Sequence, residues 1–325
     1  MSRAASAQAL LDGKAKPLGS LGRIEALGVQ LALLQDTDRP VVRDPVVVVF
    51  AGDHGSVASG VSAYPSAVTA AMVGIYLQGR AAINILARQA GARVLVVDAG
   101  VDADLPTHPD LLFHKIARGT ANWVHGPAMK RDQVIMALER GAAVMTSLDS
   151  TVVGLGDMGI GNTSSAALVV HKVTGQGQMV GPGAGLDEAG LKQKRVLMIE
   201  AAKRTAPVLD PYEALAEYGG FEIAMLTGAI LQAAKERKCV VIDGLLVTAA
   251  AVLAHRIAPE CLEACVFAHR SAEPGHAAML AGLGVEGLLD LGMRLGEGSG
   301  AALALPLLQA ACSIMAGMAD LADVV

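Results

Sequence analysis

The residue best placed to do chemistry is one acid set among glycines. In RLGEGSGAALAL, residues 294–305, glycines stand at 296, 298 and 300 with Glu297 between them. Glycine lets a ligand come close to the backbone, and many glycine-rich loops hold phosphate on their amide N–H groups. A carboxylate there would repel phosphate. The stretch therefore predicts a backbone opened to a ligand that is not a phosphate.

Phosphate chemistry suggests itself elsewhere. GIGNTSS (159–165) offers Gly159, Gly161, Asn162, Thr163 and two further hydroxyls at a predicted strand-to-helix turn. Such a turn can donate to a single phosphate at a helix N-terminus, although an ordinary capped turn has the same composition. GPGAGLD (181–187), with Gly183 and Gly185, is a second glycine-rich loop, and Lys194 follows on a predicted helix. That lysine is either the point charge a phosphomonoester needs or a solvated helix residue. GLGDMG (154–159) also fits the GxGxxG pattern of dinucleotide sites. The acid expected about 20 residues on is missing from VVHKVTGQGQ, and Asp157 inside the loop would repel a pyrophosphate. A nicotinamide-dependent dehydrogenase would rest on that pattern alone.

The remaining candidates are sparser. His54 in AGDHG and the other histidines lack metal-ligand spacing, so no metal is expected. Tyr64 in SAYP is either a stacking wall or a half-exposed surface ring. Nothing resembles a Ser-His-Asp nucleophile. No acidic pair precedes a hydroxyl-rich loop as a magnesium–pyrophosphate site would require, so any bound phosphate should be a metal-free monophosphate.

The elements that must position these residues follow from the apolar pattern. The 325 residues are 53% hydrophobic, 18% charged and 3% aromatic, with a net charge of -5 and no basic run. That balance argues against nucleic acid as the main partner. Short, continuous, β-branched runs at 46–53, 93–101, 150–157, 239–244 and 264–271 read as strands buried on both faces. Ala/Leu-rich helical segments alternate with them. The expected fold is α/β, a doubly wound parallel sheet with ligands beyond its C-terminal strand ends. Both chain ends read as helical.

Cysteines 239, 261, 265 and 312 read as reduced core thiols. The N-terminus MSRAASAQALLDGK has no apolar core of signal-peptide length, so a cytoplasmic protein is expected. Residues 298–319 are uncharged and long enough to cross a bilayer. They are rich in Gly, Ala and Ser, contain Pro306 and Gln309, and lack a Lys or Arg at the C-terminal flank. A buried helix is expected, with no membrane partner.

Six blocks together resemble one family. They are KPLGSLGRIE (16–25), AGDHG with VSAYP, GDMGIGNTSSAAL, GPGAGLD with Lys194, HRSAEPGH, and MRLGEGSGAALALPLLQAA, in this order from about residue 14 to about residue 315. The chain is similar to the nicotinate-nucleotide–dimethylbenzimidazole phosphoribosyltransferases. The resemblance implies a Rossmann-like large domain over residues 41–285, a small helical domain from residues 1–40 and 286–325, and a homodimer. It implies transfer of the 5-phosphoribosyl group of nicotinate mononucleotide to a benzimidazole-type base, without a cofactor, for the lower ligand of cobalamin. Glu297 would be the general base. Gly159, Gly161, Asn162, Thr163, Gly183, Gly185, Lys194 and Ser271 would hold phosphate, with Asp157, Tyr64, Met72 and Leu295 also at the substrates.

The chain departs from the family pattern in three places. Tyr64 replaces a small hydroxyl residue, Met72 replaces an amide, and Asp157 stands where Glu is commoner. These leave the reaction class alone and bear on which base is accepted. A catalytically silent nucleotide-binding protein would keep the fold without needing Glu297, Lys194 and the GIGNT loop together.

Overall fold

The computed structural model describes residues 2–177, 181 and 185–324. Helices α1 (Arg3–Asp12) and α2 (Arg23–Leu34) precede strand β1 (Val46–Gly52). Helices α3 (Ala67–Leu77) and α4 (Ala82–Gln89) lead to β2 (Arg93–Gly100) and the three-residue β3 (Leu111–Phe113). Then come α5 (Arg131–Thr146), β4 (Val152–Met158), α6 (Asn162–Thr174), α7 (Glu188–Ala202), α8 (Pro211–Tyr218) and α9 (Phe221–Lys235). The chain closes with β5 (Cys239–Ile242), α10 (Leu245–Ile257), β6 (Cys265–Phe267), α11 (His276–Leu283) and α12 (Ser299–Gly317).

All strand pairs are parallel, in the order β3-β2-β1-β4-β5-β6. This is the Rossmann order, whose switch point lies between the first and fourth strands. The five predicted runs became β1, β2, β4, β5 and β6, shorter than predicted except that β4 runs one residue further, to Met158. Strand β3 was not predicted, because three residues on a sheet edge carry no periodic signal.

The sheet is covered on both sides, which is why its strands read as continuous apolar runs. Along β1, Val46, Val48 and Phe50 enter one core with α5, α6, α9 and α10. Val47, Val49 and Ala51 face the other, with α2, α3, α4 and α12. Helix α12 is therefore a core helix: Ala301, Ala304, Leu305 and Leu308 are all buried against the sheet side. Its far end meets α1 and α2 through Met315, Ala7, Leu11 and Ala32. Near the chain ends, Lys14 Nζ pairs with Asp320 Oδ1 at 2.9 Å.

Candidate active site

A cavity of about 490 Å³ opens beyond the C-terminal ends of β1, β4, β5 and β6. Tyr64, Met72, Asp157, Gly159, Gly161, Asn162, Thr163, Lys194, Ser271, Leu295 and Glu297 all line it. Gly185 sits at the rim, where a Cβ would lie 3.8 Å from Tyr64 Cε2. The expectation for Gly183 lies outside the described residues. Tyr64, half-exposed, stands at the cavity mouth.

Helix α6 begins at the end of β4 with a bare N-terminus. Gly161 takes the left-handed conformation at φ 89°, no side chain caps the helix, and its first turn holds no acid. Uncapped amides and the positive end of the helix dipole thus face the cavity. Lys194, only 1% exposed, comes from α7 and donates to Thr163 Oγ1 and to the Gly181 carbonyl, both at 3.2 Å. Burial pulls its pKa down to about 8, against the opposing pull of Glu273. A bound phosphate would reverse that effect. Ser271, from the segment after β6, is held by a histidine: its N–H donates to His276 Nδ1 at 2.8 Å. His276 Nε2 lies 2.9 Å from Thr248 Oγ1. Burial lowers the pKa of His276 to about 4, so the ring is neutral and carries its proton on Nε2.

Glu297 stands in the same cavity on a different backbone device. Gly296, Glu297 and Gly298 are consecutive left-handed residues at φ 82°, 65° and 85°. A non-glycine residue there is strained by about 1–3 kcal/mol. The strain is held by packing. A Cβ at Gly156, inside β4, would collide with the backbone of Glu297 and Gly298, and one at Gly298 would lie 2.6 Å from Val47 Cγ1. A Cβ at Gly300 would meet Asp243 Oδ1 at 2.7 Å. The predicted opening to a ligand therefore applies to Gly296 alone, which lines the cavity. Gly298 and Gly300 are needed for protein against protein. The GxGxxG pattern resolves likewise: Gly154 and Gly156 lie within β4 and admit α12, not a nucleotide.

Asp243, just past β5, fastens this turn. Its carboxylate accepts from the N–H groups of Gly298 (3.0 Å), Gly300 (2.7 Å) and Ala301 (3.2 Å), satisfying the first turn of α12. Burial still pushes its pKa up to about 7, with Glu297 adding to the effect. Asp157 bridges the two halves of the site. Its Oδ2 accepts from Asn162 Nδ2 at 2.9 Å, and a Cβ at Gly296 would be 3.6 Å from its Oδ1. Burial, then Asp243, raise its pKa to about 8. Burial also raises the pKa of Glu297, which is 6% exposed and whose Oε2 has no hydrogen-bond partner. A buried carboxylate with one oxygen left without a partner among the described residues is a proton acceptor in waiting.

Sequence reasoning missed Tyr76 and, although it placed the segments of His54 and Asp243 at the strand ends, gave those two side chains no role. Tyr76, 3% exposed on α3, stands behind Glu297. His54, at the end of β1, bridges Glu222 Oε1 (2.7 Å) and Ser165 Oγ (3.0 Å). This is a Ser-His-Glu chain that no spacing in the sequence disclosed. All three side chains are fully buried, so it ties β1, α6 and α9 together and meets no substrate. Among the described residues no group of three or more His, Cys, Asp or Glu is arranged to hold a metal ion.

The chain matches a phosphoribosyltransferase family model (DBI_PRT) over residues 2–324. It is 51% identical over 321 residues to the nicotinate-nucleotide–dimethylbenzimidazole phosphoribosyltransferase of Aromatoleum aromaticum, covering 97% of this chain and 93% of that one. With the enzyme of the same name from Variovorax paradoxus it shares 48% over 319 residues, 98% and 91% of the two chains. Two crystal structures from Thermus thermophilus, one described under the same enzyme name and one as CobT, superpose with TM-scores of 0.93 and 0.94 at 41% identity. They cover 99% of this chain and 97% and 98% of their own. The chain belongs to the nicotinate-nucleotide–dimethylbenzimidazole phosphoribosyltransferase family.

Proposed function

We propose that the chain moves the 5-phosphoribosyl group of nicotinate mononucleotide to 5,6-dimethylbenzimidazole or a related base, giving an α-riboside phosphate and nicotinate. The observation that carries the reading is the pairing within one cavity of a buried carboxylate with an orphaned oxygen, Glu297, with a buried lysine beside a helix N-terminus that no side chain caps. Phosphate sits on the amides of Gly161 and Thr163 with Lys194 and Ser271, the Asn162 N–H being taken by the Gly159 carbonyl. The acceptor ring enters along Val68 and Met72, one turn apart on α3, against Leu295 and Gly296.

The chemistry is balanced without a metal. The bond from the ribose anomeric carbon to the nicotinate nitrogen breaks, and its electron pair neutralises the pyridinium, so the leaving group needs no acid. The new bond forms to an acceptor ring nitrogen on the opposite face, inverting β to α. The acceptor's other ring nitrogen gives its proton to Glu297. Base assistance of this kind contributes about 10²–10⁴-fold, and alignment of the two rings several kcal/mol more. By the same resemblance we assign residues 1–40 and 286–325, which hold α1, α2 and α12, to a small domain, and read the protein as a cytoplasmic homodimer.

The test is incubation of purified protein with nicotinate mononucleotide and 5,6-dimethylbenzimidazole, products being followed by chromatography and mass. Formation of the α-riboside phosphate, falling at least ~10²-fold in Glu297→Ala, is the expected result. Absence of product with any benzimidazole, purine or phenol acceptor would overturn the reading.

A further inference from the structure

Tyr76 has a buried hydroxyl that the packing of α3 does not use. The phenol oxygen has no hydrogen-bond partner of standard geometry, and neither does Oε2 of Glu297. The helix face that carries Tyr76 presents Val68 and Met72 to the same cavity wall as Glu297, and after burial Glu297 is the group that most raises the phenol's pKa. A buried hydroxyl left unpaired destabilises a fold, and phenylalanine would fill the same space without that penalty. Tyr76 is also in register with the acceptor wall: Val68, Met72 and Tyr76 recur every fourth residue along α3, so they share one face. A ring entering along Val68 and Met72 would end where Tyr76 meets Glu297.

We propose that Tyr76 is a positioning residue for Glu297, its hydroxyl donating to the carboxylate and fixing the base against the incoming acceptor ring. The proposal rests on the reading of Glu297 as the base. Hydrogen bonds at catalytic groups are often loose without substrate and tighten in the complex, which accounts for two facing groups with no formed bond. Burial holds the phenol well above its ordinary pKa, so it stays a donor throughout the working range. The other groups facing Glu297 are the backbone N–H of Ile83 from α4 and the carboxylates of Asp157 on β4 and Asp243 after β5. Among these, Tyr76 and Ile83 favour the charged carboxylate, while burial opposes it.

The experiment is the pH profile of turnover for wild type, Tyr76→Phe, Glu297→Gln and the double variant, with melting midpoints recorded for each. A base must be deprotonated, so activity falls as pH drops through its pKa. Loss of the Tyr76 donor should move that acid limb up by about one unit, a tenfold loss of turnover at any pH on the limb. The KM for nicotinate mononucleotide should stay unchanged and the melting midpoint should be equal or higher. The displacement should persist with Asp157→Asn in the background, and Tyr76→Phe should add nothing to Glu297→Gln. An unshifted limb in Tyr76→Phe, or losses that multiply in the double variant, would overturn the role of Tyr76 while leaving Glu297 as base. Full turnover by Glu297→Gln would instead remove the base reading and the proposal with it.

Discussion

Replacing Asp157 by Asn should make the fold more stable at alkaline pH, and the size of the effect can be worked out. Its pKa rises from an ordinary 3.8 to about 8 in the fold, chiefly through burial and then Asp243. A carboxyl raised in this way binds its proton more tightly folded than unfolded. Its stabilising contribution is complete below the unfolded value and is lost as pH rises through the folded one. A shift of about 4 units at about 1.36 kcal/mol each sets an upper bound of roughly 5–6 kcal/mol. Between about pH 5.5 and pH 8 at most about 3.4 kcal/mol of this would be seen. Asp157 also lines the open cavity and titrates together with Asp243 and Glu297, which brings the expected figure down to about 2 kcal/mol. Asn keeps the shape and an acceptor for Asn162. Urea unfolding of both proteins across this range should therefore show an advantage for Asp157→Asn that grows by about 2 kcal/mol between pH 5.5 and pH 8. Parallel lines for the two proteins would refute the argument, because they would mean that the acids are solvated.

Two further predictions concern the substrates. Lys194→Met should raise the KM for nicotinate mononucleotide by about 10²-fold with a smaller change in kcat, since it removes a buried charge from the phosphate. In wild type, binding should weaken as pH rises past about 8, where the free lysine loses its proton; steady-state kinetics and calorimetry across that range check both statements. Met72→Gln should lower kcat/KM for 5,6-dimethylbenzimidazole about tenfold relative to a hydroxyl-bearing benzimidazole, because the wall would then favour a polar partner. Competition between the two bases in one tube, read by mass, measures the ratio directly.

What could be read from the sequence was what repeats or clusters along the chain. Val46–Val49 announce a doubly covered strand because each of their neighbours in space is apolar. The GIGNT block and Lys194 are legible as a phosphate site because its parts are a turn and a nearby helix. Tyr76 was not legible, since in AVTAAMVGIYL it is one more apolar-face residue. Its meaning comes from Glu297, 221 positions away in the chain. Asp243 was named only as part of a strand end, and its task depends on three amides that begin 55 residues later. The glycines of RLGEGSG misled for a related reason. A missing Cβ signals close approach, and the sequence does not say whether the approaching group is ligand or protein.

The acid within that run is best understood from what the glycines join. Gly156 in β4 and Gly298 at the head of α12 let strand and helix touch backbone to backbone, and Asp243 fastens the helix start from the next strand. Glu297 is thus carried by a sheet strand and a helix terminus, not by a free loop. The phosphate site grows from the same strand, because β4 runs directly through Gly159 and Gly161 into α6. Asp157, the penultimate residue of β4, is joined to the α6 end by Asn162 and lies beside Gly296. One rigid strand therefore sets the separation between the group that anchors the ribose phosphate and the group that takes the acceptor's proton. An in-line exchange of two rings at one carbon depends on that separation, and a displacement of about 1 Å can reduce turnover by about 10²-fold. The left-handed strain at Glu297 is consistent with this requirement. A relaxed conformation would release roughly 1–3 kcal/mol but would let the base drift from the reacting carbon, whereas the held one keeps both ends of the reaction on β4.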